Sequence, residues 1–219
     1  MTQSLTIDFV SDVACPWCAV GLNSLLQALE QLSDEVSASI RFRPFELAPD
    51  MPETGERILP HLSRKYGISE EQVKQNQEQI RLRGAELGFV FDFRADSMKW
   101  NTFAAHQLLH WAGEQGAEYQ LALKQALLEA YFSHNRNPSD IEVLVELAAK
   151  AGLDSVVARE LLQDQRYAEV VRAEEQQWLE LGVSSVPTVV FNQRYAVSGG
   201  QPVESFVAAM RDVLAQEER

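Results

Sequence analysis

Beyond Cys15 and Cys18 the 219-residue chain contains no cysteine. A single C-x-x-C supplies only two zinc ligands, so a zinc ribbon is excluded, as is a disulfide-dense scaffold. Basic residues are also scarce: 19 Lys and Arg stand against 32 Asp and Glu, a formal charge of −13. Nucleic acid and anionic membranes would repel such a chain, and no basic run interleaved with aromatics offsets this. No stretch approaches the ~18 consecutive apolar residues of a membrane helix. G-x-x-x-x-G-K-[ST], G-x-G-x-x-G and G-x-S-x-G patterns are missing, as are repeats and Gly/Ser linkers. Neither nucleic acid nor membrane is therefore an expected partner. The start, "MTQSLTIDFVSD", has no basic region followed by a long apolar core, so no secretory signal is expected. The expected location is cytoplasmic, although a mature periplasmic protein given a new Met would read the same. In that compartment two cysteines suit reversible chemistry better than a permanent staple.

What is present is an α/β pattern. "LTIDFVS" (5–11) alternates, with Leu5, Ile7 and Phe9 on one face, and reads as a strand. Cys18, Leu22, Leu25, Leu29 and Leu32 then recur as one helical stripe. "SASIRFRPFEL" (37–47) alternates again through Ile40, Phe42 and, less cleanly, Phe45. From about 53 to 182 the signals are helical. Ser69 and Gln72 form a capping box. Asn137–Pro138 reads as a cap before a proline at the first helical position, and Asp154 caps a further helix. Gly182 stops the last one. "FVFDF" (89–93) reads as either a short strand or a loop plug. After 183, "PTVVFN" and "RYAVSG" form a hairpin about Asn192–Gln193. "SGGQP" (198–202) is a strand-to-helix turn, and a last helix follows with Val203, Phe206, Val207, Met210 and Leu214 on one face. The terminal β elements are too few for separate domains and are expected to share one sheet around an inserted helical block.

The cysteines sit where a strand ends and a helix begins, in "VACPWCAV" (13–20). Cys15 at the helix start meets free backbone N–H groups and the positive end of the dipole, which favour the thiolate. Pro16 fits the first helical position. Cys18, one turn deeper on the same side, can close a disulfide with Cys15. The expected roles are attack by Cys15 and resolution by Cys18. Trp17 brings no cation to Cys15. Asp12 either opposes ionisation of Cys15 or serves as a turn residue. Far along the chain, Pro187 enters a strand in "GVSSVPTVVFN", where it cannot donate to a ladder. His106 and His110 stand at i, i+4, but "AHQLLHWA" has no Glu after the first His, and packed or surface histidines are the simpler reading. His61 and His134 are isolated.

"DFVSDVACPWC", the helical middle with "WNTFAAHQLLHWA" (100–112), and "GVSSVPTVVFNQRYAVSGGQP" together resemble the DsbA-like thioredoxin superfamily, in particular its FrnE-like dithiol oxidoreductases. The resemblance implies a thioredoxin-like domain (1–52 and 183–219, with a helix at about 165–182 leading back into it) and an inserted all-helical domain (53–164). It implies a Cys15–Cys18 redox centre and a cis Val186–Pro187 bond opposite it. Pro16, Trp17 and the backbone of Val186 are the expected substrate contacts. In glutathione-dependent relatives, the kappa-class transferases and hydroxychromene-carboxylate isomerases, the helical domain helps form the pocket. By that likeness Asn101, Thr102 and His106 face the cysteines across a cleft; the alternative is that Asn101 and Thr102 cap a helix. Those relatives typically carry Ser at the first position of the motif, whereas this chain has Cys15. The expected activity is thiol–disulfide exchange on a disulfide-containing protein or small molecule, with isomerase activity as an extension. The alternative is a glutathione-dependent transferase or isomerase of small aromatic compounds. No cofactor is expected to stay bound; glutathione is open as electron donor or co-substrate. The protein would act as a monomer or homodimer.

Overall fold

The computed structural model describes residues 2–217. The last two residues of the expected final helix lie outside that range. Element order is β1 (Gln3–Ser11), α1 (Pro16–Gln31), β2 (Val36–Pro44), β3 (Glu56–Arg57), α2 (Ile58–Tyr66), α3 (Glu70–Glu86), β4 (Met98–Lys99), α4 (Phe103–Gln115), α5 (Ala117–Phe132), α6 (Ile141–Lys150), α7 (Ser155–Gln163), α8 (Ala168–Glu180), β5 (Thr188–Phe191), β6 (Tyr195–Ser198) and α9 (Val203–Glu217). It is a thioredoxin-like α/β fold with a helical insertion.

The two ends of the chain do share a sheet, in the order β2-β1-β5-β6. β1 runs parallel to β2, with Phe9 beside Phe42, and antiparallel to β5, with Phe9 beside Val189. A parallel neighbour demands a crossover, and α1 supplies it. Leu5, Ile7 and Phe9 are fully buried, and so is Asp8 on the other face. Helices α4, α5 and α8 of the insertion pack on β2, and β1 is buried on both faces from Ile7 to Ser11. Asp8 is satisfied there by Arg43, whose Nε donates at 2.7 Å from the neighbouring strand. In the turn between β5 and β6, Asn192 and Gln193 both take positive φ, and Arg194 N–H closes onto the Phe191 carbonyl at 3.0 Å. This geometry matches the twist of the hairpin.

One apolar cluster joins the sheet, α1 and α9 to Ile80, Leu87, Phe91, Leu128, Tyr131 and Phe132 of the insertion. A second lies among α4 to α7 and includes Val13. Both cores therefore reach the segment that carries the cysteines.

Several local expectations change. β2 ends at Pro44, so Phe45 is a buried loop residue and not the last of the strand. The helix expected at Asn137–Pro138 starts only at Ile141, with Asp140 as its cap. Asn137 instead accepts from the Ser139 N–H at 2.9 Å, so the proline belongs to a turn before the helix. The capping box at Ser69–Gln72 and the Asp154 cap form as expected. "FVFDF" is a plug: Phe91 stacks on Phe93 and meets Phe132 edge-on. Gly84 makes room for it, since a Cβ there would stand 2.5 Å from the Phe91 ring. The β3–β4 pair had no sequence signal.

Candidate active site

β1 delivers the chain to Asp12, and α1 starts at Pro16 with Cys15 as its N-terminal flanking residue. Asp12 shapes the turn between them. Its Oδ1 accepts from Ala14 N–H at 3.1 Å and its Oδ2 from Leu47 N–H at 2.9 Å. Both cysteines are unpaired and buried, Cys15 at 4 % exposure and Cys18 at 0 %. From the far end of the chain comes the cis Val186–Pro187 segment. The Cys15 thiol donates to the Val186 carbonyl at 3.6 Å. Pro187 is held by Gly199 N–H on its carbonyl at 2.8 Å. It packs on α1 at Gly21, where a Cβ would lie 3.0 Å from the proline ring. "SGGQP" is the turn into α9. It also seats α1: a Cβ on Gly200 would come within 2.9 Å of the Trp17 carbonyl.

The two thiols are set apart electrostatically. A hydrogen bond from Cys18 is the largest influence on Cys15 and lowers its pKa. Burial opposes that, the Cys18 N–H and Lys99 add to it, and Asp12 works against it; the net direction is down. Cys18 moves the other way, well above an ordinary thiol, chiefly through burial, then through its hydrogen bond to Cys15 and the charge there. A site that lowers one thiol and raises its partner has an attacking sulfur and a waiting one.

Lys99, which the sequence reading missed, is the cation that Trp17 does not provide. It is 5 % exposed on β4 and donates to the Ala14 carbonyl at 3.3 Å. Its ammonium lies 3.9 Å from Asp12 Oδ2. The β3 ladder and a 3.0 Å bond from the Tyr131 hydroxyl to the Met98 carbonyl fix that strand. Burial alone would push the Asp12 carboxyl up. Lys99, His106 and the Leu47 N–H outweigh it and hold the group well below the usual carboxylate range. Asp12 is thus both the turn residue and the opposing charge.

Cys15 lies on a cleft of about 730 Å³ together with Pro16, Trp17, Val186, Lys65 and Lys99. Trp17 is 43 % exposed. Among the described residues that line this cleft there is no Asp or Glu, in a chain that has 32 of them. The charged side chains that line it are Lys65 and Lys99.

Asn101, Thr102 and His106 do not line it, contrary to the expectation drawn from the glutathione-dependent relatives. Asn101 Oδ1 accepts from Phe103 N–H at 2.8 Å, and its amide donates to the Pro49 and Met51 carbonyls. It caps α4 and ties down a loop. Thr102 flanks the helix without a side-chain cap bond. His106 is buried behind the site, with Nε2 3.7 Å from Asp12 Oδ1. His110 pairs with Glu174 at 3.3 Å. Among the described residues no group of three or more His, Cys, Asp or Glu is placed to hold a metal, and no helix is long and apolar enough to cross a membrane.

Comparison with known proteins agrees with this geometry. The family model described as the DSBA-like thioredoxin domain matches residues 6–211. A probable DsbA oxidoreductase from Streptomyces coelicolor superposes with a TM-score of 0.89 at 36% identity, over 98% of this chain and 91% of that one. The uncharacterized protein YwbO of Bacillus subtilis (strain 168) is 28% identical over 213 residues, 96% of this chain and 98% of its own length. The cytosolic disulfide reductase DsbM from Pseudomonas aeruginosa, solved with GSH, shares the fold: TM-score 0.63 at 18% identity, covering 96% and 99% of the two chains.

Proposed function

The chain belongs to the DSBA-like thioredoxin domain family, and from that premise we propose that it is a dithiol–disulfide oxidoreductase with Cys15 and Cys18 as its redox pair. The observation that carries this reading is the placement of the two thiols: Cys15 flanks the start of α1, lies on the cleft and meets the Val186 carbonyl at 3.6 Å, while Cys18 is fully buried one turn on. The Cys15 thiolate attacks one sulfur of a substrate R–S–S–R′. That bond breaks, R′–S⁻ leaves and takes a proton, and a Cys15–S–S–R mixed disulfide remains. Cys18, as thiolate, then attacks the Cys15 sulfur and expels R–S⁻. The substrate has gained two electrons, and the protein holds a Cys15–Cys18 disulfide. The reverse sequence passes oxidising equivalents outward. Val186 and Pro187 stand beside the attacking sulfur and bound the path a substrate must take. When Cys15 ionises it loses its proton to donate, and the Val186 carbonyl is free for a substrate N–H.

The cleft favours small anionic disulfides. Its acid-free lining offers Lys65 to carboxylates, against a surrounding field of net charge −13. Glutathione, with two carboxylates, fits that chemistry as electron donor, and the relative solved with GSH supports it. A cytoplasmic setting suits a C-x-x-C pair that cycles between thiol and disulfide better than a permanent staple. A transferase or isomerase using glutathione alone needs no second thiol, and Cys18 argues against it.

The experiment is a single-turnover comparison of reduced protein with glutathione disulfide (anionic) and cystamine (cationic), read by loss of free thiol at matched pH. The anionic disulfide is expected to react at least about tenfold faster, and Lys65→Glu to erase most of that preference. Equal rates for both disulfides would remove the small-anion reading. No thiol loss with either would remove the redox reading itself.

A further inference from the structure

α3 is polar along most of its length and buries one stripe, Val73, Gln77, Ile80 and Gly84. Spacings of four, three and four keep these on one face of the helix. Gln77 holds a place in that stripe that packing alone would give to an apolar residue. It is 9 % exposed, it lines the cleft of Cys15, and its amide has no hydrogen-bond partner among the described residues. A buried amide left unpaired by the protein is suited to a partner that arrives with a ligand.

The cleft around Gln77 has two parts. Its rim is exposed and carries Lys65, Tyr66 and Trp17. Its floor is apolar and buried or half-buried: Ile58, Val73 and Ile80 of the α2–α3 pair, with Phe93 and Phe132. Ile58 and Val73 belong to an apolar cluster of their own, so this wall is formed in advance of any ligand. Small-molecule sites have this make-up, an apolar cavity of about 300–1,000 Å³ with few polar groups. The cleft, at about 730 Å³, falls in that range.

We propose that the floor is a subsite for the apolar arm of a small mixed disulfide, and that Gln77 selects arms bearing one hydrogen-bonding group, such as a phenol. The inference rests on the dithiol reading above and names its substrate class: an anionic thiol held at Lys65, joined through sulfur to an apolar thiol on the floor. The exchange chemistry is unchanged. The Cys15 thiolate opens the substrate S–S bond, and Cys18 resolves the mixed disulfide. Both substrate halves leave as thiols, each with a proton, and the two electrons come from the Cys15 and Cys18 sulfurs.

The test uses reduced protein and mixed disulfides of glutathione with 2-mercaptoethanol, 2-phenylethanethiol, or 2-(hydroxyphenyl)ethanethiol with the hydroxyl at position 3 or 4. The shared glutathione half keeps the charge constant. Single-turnover rates at pH 7 are read by chromatography of the released thiols. Dividing each by its rate with dithiothreitol removes intrinsic reactivity. The phenylethyl compound is expected to react at least about tenfold faster than the hydroxyethyl one, the effect of burying a ring. The faster of the two hydroxyphenyl compounds should gain at least about threefold more by pairing with Gln77. In Gln77→Leu that second ratio should fall to one or below, because the phenol oxygen then meets only apolar surface. Each ratio is taken within one protein, so a smaller folded fraction of the variant leaves it unaltered. Equal wild-type rates for the phenylethyl and hydroxyethyl compounds would overturn the subsite. A hydroxyphenyl preference that survives in Gln77→Leu, or is missing from wild type, would overturn the role of Gln77. Faster exchange per disulfide with glutathionylated, unfolded ribonuclease A than with the phenylethyl compound would assign the floor to a polypeptide and also count against the proposal. No exchange with any of these disulfides would instead defeat the dithiol reading.

Discussion

Cys15→Ser is expected to reduce disulfide turnover by at least about a thousandfold, measured as dithiothreitol-driven reduction of insulin or of glutathione disulfide. A serine hydroxyl is almost un-ionised at neutral pH, whereas a thiol is a strong nucleophile even when only partly ionised. The surrounding features that favour an anion at residue 15, the Cys18 contact and Lys99, act on the sulfur's charge and do not make an alkoxide available. Cys18→Ser should fail differently. Cys15 still attacks, and the protein accumulates as a mixed disulfide that mass spectrometry reads as one added thiol group. Retained insulin reduction by Cys15→Ser would end the assignment of that residue.

Asp12→Ala is the second large effect, and it acts in opposite directions on stability and on acidity. The carboxylate is buried, accepts two backbone N–H bonds and faces the Lys99 ammonium. Its removal leaves two amides and a cation without their partner, a loss of about 3–5 kcal/mol by analogy with broken buried pairs. Chemical denaturation at pH 7 measures it. The same charge opposes ionisation of Cys15, so the Cys15 thiol of the variant should be more acidic than in wild type. The pH dependence follows from the sign of the shift. The folded carboxyl lies below its unfolded value. Its contribution is therefore fully present above about pH 4 and is lost as the pH falls from there through the folded value. The stability gap between wild type and variant should close on acidification and not on raising the pH. A variant as stable as wild type at pH 7 would show that Lys99 does not depend on Asp12.

The parts of this site that were legible in the sequence are those written locally. A strand that runs into C-P-W-C, an apolar stripe beginning at Cys18, and a proline at a strand entry each follow from residue type and spacing. The turn at Asn192–Gln193 was legible for the same reason. The electrostatic partners were not. Lys99 sits on a two-residue strand with no periodicity to mark it, and it meets Asp12 only because β3 and Tyr131 hold that strand in place. Gln77 did leave a trace, a polar residue between Val73 and Ile80 in the buried stripe of α3, but the stripe alone does not say what lies above it. His106 shows the opposite error. Its place in a recognisable segment suggested a cleft wall, whereas α4 turns it inward behind Asp12. At Asn137–Pro138 a turn motif mimicked a cap, and Asp140 was the stronger one.

The central claim is that one sulfur is made acidic while its partner is held protonated. The direct measurement is the rate of iodoacetamide modification of each cysteine from pH 5 to pH 10, resolved by peptide mass spectrometry on the reduced protein. Cys15 is expected to titrate below the ~8.5 of a free thiol, with Cys18 unmodified through pH 9. Two cysteines that react together with an ordinary thiol profile, or Cys18 reacting first, would contradict it.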